Sequence, residues 1–292
     1  MRANGSPTNG TAFTSVRRQT DLVFERISRH AARLAKDTKV SSVHRFRTNS
    51  RRVEALVSEL APESPNTKKL LKLLSKLRKR AGKLRDLDVE IAFLKELRIP
   101  DRQNHRVQFL AALEEEQARR SKKLAKHFDK ENVSQLRKRL RRAKSELAID
   151  GVDPVKLAFG LLPKFHEVPQ TEKILHSCRI AAKRARYLAE LAPESAVAKS
   201  LIAELKRAQD EIGRWHDVLK LSQRAERLFG GVRDSSLVAA LQNISRARFR
   251  RAGNAWETAL KAVAQLQPSA DLQASARKGT EQTASANQSA AA

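Results

Sequence analysis

A chain of 292 residues is long enough to bury a sizeable core, as one large helical domain or two smaller ones. Its 59 Lys and Arg outweigh 32 Asp and Glu to give a formal charge of +27, a self-repulsion that opposes compaction unless an anionic partner relieves it. One cysteine, Cys178, excludes an internal disulfide and a thiolate zinc cluster, and ten Phe, two Trp and one Tyr are few for a surface that stacks single-stranded bases. No uninterrupted apolar run of about 18 residues is present, and the N-terminal region has no stretch of signal-peptide type, so a cytoplasmic setting without membrane insertion is expected.

Residues 1–12 and 268–292 are rich in Ser, Thr, Ala, Gln, Asn and Gly and read as disordered tails. Between them, over 13–267, apolar residues recur at intervals of three and four and two-residue alternation is hard to find, which predicts an all-α fold. Breaks are expected near 37–42, 61–65, 99–101, 150–154, 168–170, 192–195 and 230–234, so the helices are long and their connections short. After the first break, Val43, Phe46, Ser50, Val53, Val57 and Leu60 form a 3-4 stripe, and His44, Arg47 and Arg51 form a cationic ridge directly beside it. A purely solvated charge face would lie opposite the core, so this placement predicts a basic cleft between helices. The next helix sets Lys69, Lys72, Lys76, Lys79 and Lys83 along one side, a rail of about 20 Å, and Leu70, Leu73, Leu74, Leu77 and Leu84 along the other. Residues 117–144 are basic nearly all round and read as a solvated helix. Farther on, His176, Arg179 and Lys183 make a second ridge, followed by a thinner rail of Lys199, Arg207 and Arg214.

The two ridges belong to an internal repeat. The hexapeptide Glu-Leu-Ala-Pro-Glu-Ser ends once at Ser64 and again at Ser195. Upstream of each copy, His44 and His176 begin the pattern H-x-x-R-x-x-x-[KR]-R, which closes at Arg52 and Arg184. Downstream, Gly82-Lys83-Leu84-Arg85-Asp86 matches Gly213-Arg214-Trp215-His216-Asp217. Ordered matches at nearly constant offset point to a tandem duplication, with half one at about 13–148 and half two at about 154–267, probed as a pseudo-twofold pair. For Asp86 and Asp217, a cap or an intramolecular partner for Arg outweighs catalysis.

At these residues the sequence resembles the CHAD domain, the conserved histidine α-helical domain family; Arg186-Tyr187 adds to the match. The resemblance spans about residues 15–265 and implies two four-helix bundles around a basic central pore or groove that binds inorganic polyphosphate and targets the protein to polyphosphate granules. Carried over, His44 and His176 would face the pore, with Arg47, Arg51, Arg52, Arg179, Lys183 and Arg184 as phosphate ligands; Arg186, Arg207, Arg214 and the Lys69 to Lys83 rail complete the candidate set. The halves differ, since Ser177 and Cys178 stand where the first has Arg45 and Phe46.

Polyphosphate offers charge without bases, so recognition calls for a continuous cationic track in which Arg supplies bidentate forks and Lys point charges. Protonated imidazole would be favoured beside phosphate, predicting tighter binding below about pH 6.5. No Walker-type loop, E-x-E-x-K signature or convincing carboxylate metal set is found, so neither catalysis nor a metal or other cofactor is expected. Nucleic acid is the alternative polyanion, bound through the same Lys and Arg, although no helix-turn-helix, zinc-finger or RNA-recognition signature supports it. A scaffold resting on granule or anionic membrane surfaces is the third reading; its insertion helix is lacking.

Overall fold

The computed structural model describes residues 9–100, 103–162, 169 and 171–266, with side chains from residue 14. Among the described residues the regular structure is entirely helical, as the periodicity predicts. The helices are α1 (Asn9–Leu34), α2 (Val40–Leu60), α3 (Pro65–Glu96), α4 (His105–Ala125), α5 (Lys130–Lys144), α6 (Pro154–Gly160), α7 (Glu172–Ala189), α8 (Ala196–Phe229) and α9 (Ser236–Leu266).

Polar caps set the starts of the two longest connections to the site. Ser64 accepts a hydrogen bond from the Thr67 amide at 3.1 Å, while the Ser64 amide donates to Thr67 Oγ1 at 3.0 Å, a reciprocal capping box ahead of Pro65. Ser195 accepts from the Ala198 amide at 3.1 Å. The two copies of the repeated hexapeptide therefore end in the residue that starts α3 and the residue that starts α8. At its far end α8 stops at Gly230, whose φ of 79° lies in the left-handed region that side chains disfavour.

The ridge helices bury the stripes expected of them. Val43, Phe46, Ser50 and Val53 are fully enclosed on α2, and Val57 and Leu60 nearly so. Cys178, the counterpart of Phe46 on α7, is also buried, and burial pushes its thiol up to about 11, so it serves as a small apolar residue. One apolar cluster runs through residues of all the helices from α1 to α9, with Leu124 for α4, so the described chain shares one large continuous core. Trp256, Ala252, Ala259 and Val263 bring α9 into it, alongside Trp215 of α8. A smaller cluster joins Leu87, Ile91 and Leu94 of α3, Phe109 and Leu113 of α4, and Leu221, Leu237 and Leu241 of α8 and α9.

Two expectations change. Helix α1 begins at Asn9, inside the segment read as a tail; residues 1–8 and 267–292 lie outside the described residues, as do most of 163–170. The stretch 117–144 is not one solvated helix: α4 ends at Ala125 and α5 restarts where Asp129 accepts from the Asn132 amide at 2.7 Å. Leu124, Phe128, Val133, Leu136, Leu140 and Ala143 are all buried there, and the Phe128 ring meets Phe46 edge-on at 4.8 Å. Basic residues at nearly every other position mask this narrow stripe in the sequence.

The packing brings α2 against α7 and α3 against α8, which places four helices around one space. Because the Ser195 cap fixes the entry of α8 into that space, Ser195→Ala is expected to lower unfolding free energy by about 1 kcal/mol, read from urea denaturation, with Ser195→Asp restoring most of it.

Candidate functional site

The space between these four helices is a cleft of about 510 Å³. Helix α2 lines it with His44, Arg47, Thr48 and Arg51; α7 with Arg179, Lys183, Arg186 and Tyr187. Helix α3 adds Arg85 and Asp86, and α8 adds Arg214, His216, Asp217 and Lys220. Eight Lys or Arg face three Asp across its surface. The other sizeable groove, about 820 Å³ between α1 and α5, sets Asp21 and Glu25 against Arg29, Arg137, Arg141 and Lys144, and Asp21 already pairs with Lys144 at 2.5 Å. Two carboxylates against four cations leave that groove a smaller positive excess than the cleft, where eight cations meet three Asp, so it is the poorer anion site.

The walls are held by a reciprocal exchange of ion pairs. Arg52 of α2 donates through Nε to Glu190 at 2.6 Å and through Nη2 at 3.3 Å, and Arg184 of α7 pairs with Glu59. Arg52 and Arg184 are equivalent in the repeat, and so are Glu59 and Glu190. The arginine of each ridge helix thus holds the glutamate of the matching position on the other side. Both guanidiniums are committed, and neither lines the cleft. Tyr187 lies under two of the cations, with the Arg52 and Arg186 carbons 5.5 and 5.2 Å from its ring centre.

Arg47 is oriented from α3. Its Nη1 donates to the Gly82 carbonyl at 2.9 Å and to Asp86 at 3.2 Å, and the guanidinium lies flat over Gly82, 3.6 Å from where a Cβ would stand. Asp86 also accepts from Lys220 of α8 at 3.1 Å, acting as the intramolecular partner expected of it. Burial pushes the Asp86 carboxyl up, but Lys220 and Arg47 outweigh it and hold the group below its ordinary value. Beyond Asp86, Arg224 of α8 bridges Glu90 at 2.8 Å and Glu116 at 3.1 Å, tying α8 to α3 and α4. Desolvation leaves Glu90 pushed up to about 7 despite Arg224.

Four lining cations have no such partner. Among the described residues, Arg51, Arg85, Arg179 and Lys183 have no carboxylate within 4 Å, and the buried Nε of Arg179 has no hydrogen-bond acceptor. Burial lowers Arg51 and Arg179 from their ordinary values, with other arginines adding to the effect. For Lys183, burial together with Arg179, Arg51, Arg186 and Arg47 lowers the amine to about 6. The histidines follow the same logic. Burial, then Arg85 and Arg47, lower His44; burial and then His216 lower His176; burial lowers His216 against the opposing pull of Asp217.

Of the sequence candidates, His44, Arg47, Arg51, Arg179, Lys183, Arg186 and Arg214 come together on the cleft. His176 does not line it; its ring stacks on His216 at 5.4 Å between centres, and His216 takes the place at the wall. Arg207 is exposed and paired with Glu204. Lys69, Lys72, Lys76, Lys79 and Lys83 all lie on the exposed outer face of α3, away from the cleft, because the leucines opposite them supply the buried stripe. Arg85, His216 and Lys220 were not among the candidates. The Gly-x-x-[Arg/His]-Asp repeat carried the signal for the first two, since Arg85 and His216 occupy its matched fourth position.

No group of three or more His, Cys, Asp or Glu among the described residues is placed to hold a metal ion, and no described helix is long and apolar enough to cross a membrane. The family model of the CHAD domain matches residues 18–226. The fold is similar to the crystal structure of the CHAD domain from the plant Ricinus communis, with a TM-score of 0.64 and 18% identity over 87% of this chain and 92% of that one. It is also similar to PptA from Streptomyces chartreusis, with a TM-score of 0.55 and 16% identity over 89% and 99% of the two chains. Comparison with curated proteins gives no match.

A double-mutant cycle tests the exchanged pairs. Arg52→Ala with Glu190→Ala is expected to show a coupling of about 1–2 kcal/mol in unfolding free energy, whereas the exposed Lys206 and Asp210 pair, one turn apart on α8, should show less than about 0.5 kcal/mol.

Proposed function

The chain belongs to the CHAD-domain family, and we propose from its cleft that it binds inorganic polyphosphate without catalysis and is carried by that binding to polyphosphate granules. The observation that supports this reading most is the set Arg51, Arg85 and Arg179, guanidiniums gathered between helices with no carboxylate to neutralise them, around a Lys183 amine that an anion would recharge. Unpaired charge removed from water is costly, and an anion entering the cleft relieves both the desolvation and the mutual repulsion. Polyphosphate binding is the property known for the family. A phosphate polymer fits the chemistry because its charge is spread along the chain, so each unit can meet one of the guanidiniums with paired N–H donors.

The arrangement of side chains divides the work. Arg47, fixed by Gly82 and Asp86, is a preset donor that loses little freedom on binding. Lys220 shares Asp86 and can turn toward the ligand. Arg51 and Arg179 are the unneutralised centre, and Lys183 beside them gains its charge when an anion enters. The outer lysines of α3 add long-range attraction, screened by salt, rather than contact inside the cleft.

Competition between long-chain polyphosphate and duplex DNA of equal total charge, at physiological salt, tests the reading. Polyphosphate should win by at least about tenfold, equivalent to about 1.4 kcal/mol. Combined Arg51→Ala, Arg179→Ala and Lys183→Ala should abolish that preference, while alanine at Lys69, Lys72, Lys76, Lys79 and Lys83 should weaken both ligands alike. Equal binding of DNA, with the cleft variant unchanged, would make this a generic polyanion binder.

Binding is also expected to take up protons. Lys183 is neutral at pH 7 in the free protein because its pKa is lowered to about 6, and His44, His176 and His216 are likewise held below their ordinary value. A bound polyanion raises all four, so affinity falls as pH rises above about 6. Calorimetry at pH 7 in buffers of different ionisation heat should show uptake of roughly one proton or more, reduced by about one in Lys183→Met; zero uptake would remove the linkage.

A further inference from the structure

Lys183 stands one turn from both Arg179 and Arg186 on α7, so three cations share one helix face. From α2, Arg47 and Arg51 face it as well, and His44 and His176 lie close enough for Lys183 to influence them. The carboxylates of the cleft are engaged elsewhere: Asp86 of α3 holds Arg47 and Lys220, Asp210 of α8 holds Lys206, and Asp217 of α8 lies beside His216. No ion pair anchors the Lys183 amine among the described residues, yet the residue lines the cleft and is only half-buried. An amine surrounded by arginines and poor in water is the arrangement in which lysine sheds its proton and becomes a nucleophile at neutral pH.

We propose that Lys183 is a self-modifying site for small acyl phosphates, whose phosphate is drawn in by the neighbouring guanidiniums and whose acyl group is transferred to its Nζ. The Nζ lone pair attacks the acyl carbon, the bond from that carbon to the phosphate oxygen breaks, and phosphate leaves with the electron pair. The nitrogen gives up one proton to the departing phosphate, leaving a neutral amide and hydrogen phosphate. Two features of the cleft act together: the arginines hold the leaving phosphate and stabilise its charge, and they keep the amine unprotonated. The lowered Lys183 pKa agrees with this chemistry, since most of the amine is free base at pH 7, whereas exposed lysines are almost wholly protonated there. The inference rests on the anion-binding reading of the cleft but needs only a single phosphate, not a polymer. Its consequence is regulatory: an acylated Lys183 can neither take up a proton nor contribute a cation, so the modified protein binds polyanions less tightly.

The test uses the intact protein with acetyl phosphate as probe, and acetic anhydride as an acetyl donor without phosphate, with site-resolved mass spectrometry. Lys183 should acetylate at least about tenfold faster than the exposed Lys72 and Lys79 with acetyl phosphate at pH 7, and this advantage should shrink with acetic anhydride. The Lys183 rate should level off above about pH 7, while those of exposed lysines in general keep rising through pH 9. A Lys183 rate no greater than theirs, or one rising in parallel with theirs, would overturn the proposal. Rapid acetylation that long-chain polyphosphate blocks supports it and the polymer site together. Rapid acetylation that inorganic phosphate blocks but polyphosphate does not supports Lys183 as the nucleophile and removes the cleft as the polymer site.

Discussion

Confinement of like charges between α2 and α7 is the constraint to which the surrounding structure answers. Two unit charges about 6 Å apart repel by about 3 kcal/mol at the effective dielectric of a protein site, and this cleft gathers eight Lys or Arg. The exchanged Arg52–Glu190 pair is half-buried and the Arg184–Glu59 pair is more exposed, and each contributes far less than the sum of that repulsion. They fix where the two helices cross, but they do not neutralise the cleft. Part of the remaining cost is met by Asp86, shared between Arg47 and Lys220, and part by Lys183 giving up its proton. The apolar core beneath, continuous from α1 to α9, supplies the stability that lets such a site persist.

Stability and binding consequently draw on different residues of the same helices. Phe46 and Val53 face the core while Arg47 and Arg51 face the cleft, and the same division holds on α7 between Cys178 or Ala182 and Arg179 or Lys183. A helix of this kind allows cations to be placed within reach of each other only because the opposite stripe is anchored. Helix α3 adds a backbone contact to this division, since the Gly82 carbonyl accepts from the Arg47 guanidinium and helps to aim it at the cleft.

Much of this was readable from spacing. The ridge beside an apolar stripe predicts a cleft, and α2 and α7 bear their ridges on one. The α3 lysines show where spacing fails: a cationic row opposite a leucine stripe reads identically whether it faces a ligand or open water, and only packing against the neighbouring helices decides. Arg52 and Arg184 fail for another reason. Their partners are Glu190 and Glu59, more than a hundred residues away, so nothing local in the sequence distinguishes a committed guanidinium from a free one. His176 and His216 exchanged roles because the repeat aligns backbone positions, whereas a stacked pair settles which ring reaches the wall.

Helix α9 lies wholly beyond residue 226, where the family match ends, yet Trp256, Ala252, Ala259 and Val263 belong to the main core. Cutting the gene at that boundary would strip a full-length partner from α8 and leave Trp215, one residue before His216 of the cleft, facing water. Any fragment meant for expression or fusion should therefore keep α9 to its end at Leu266.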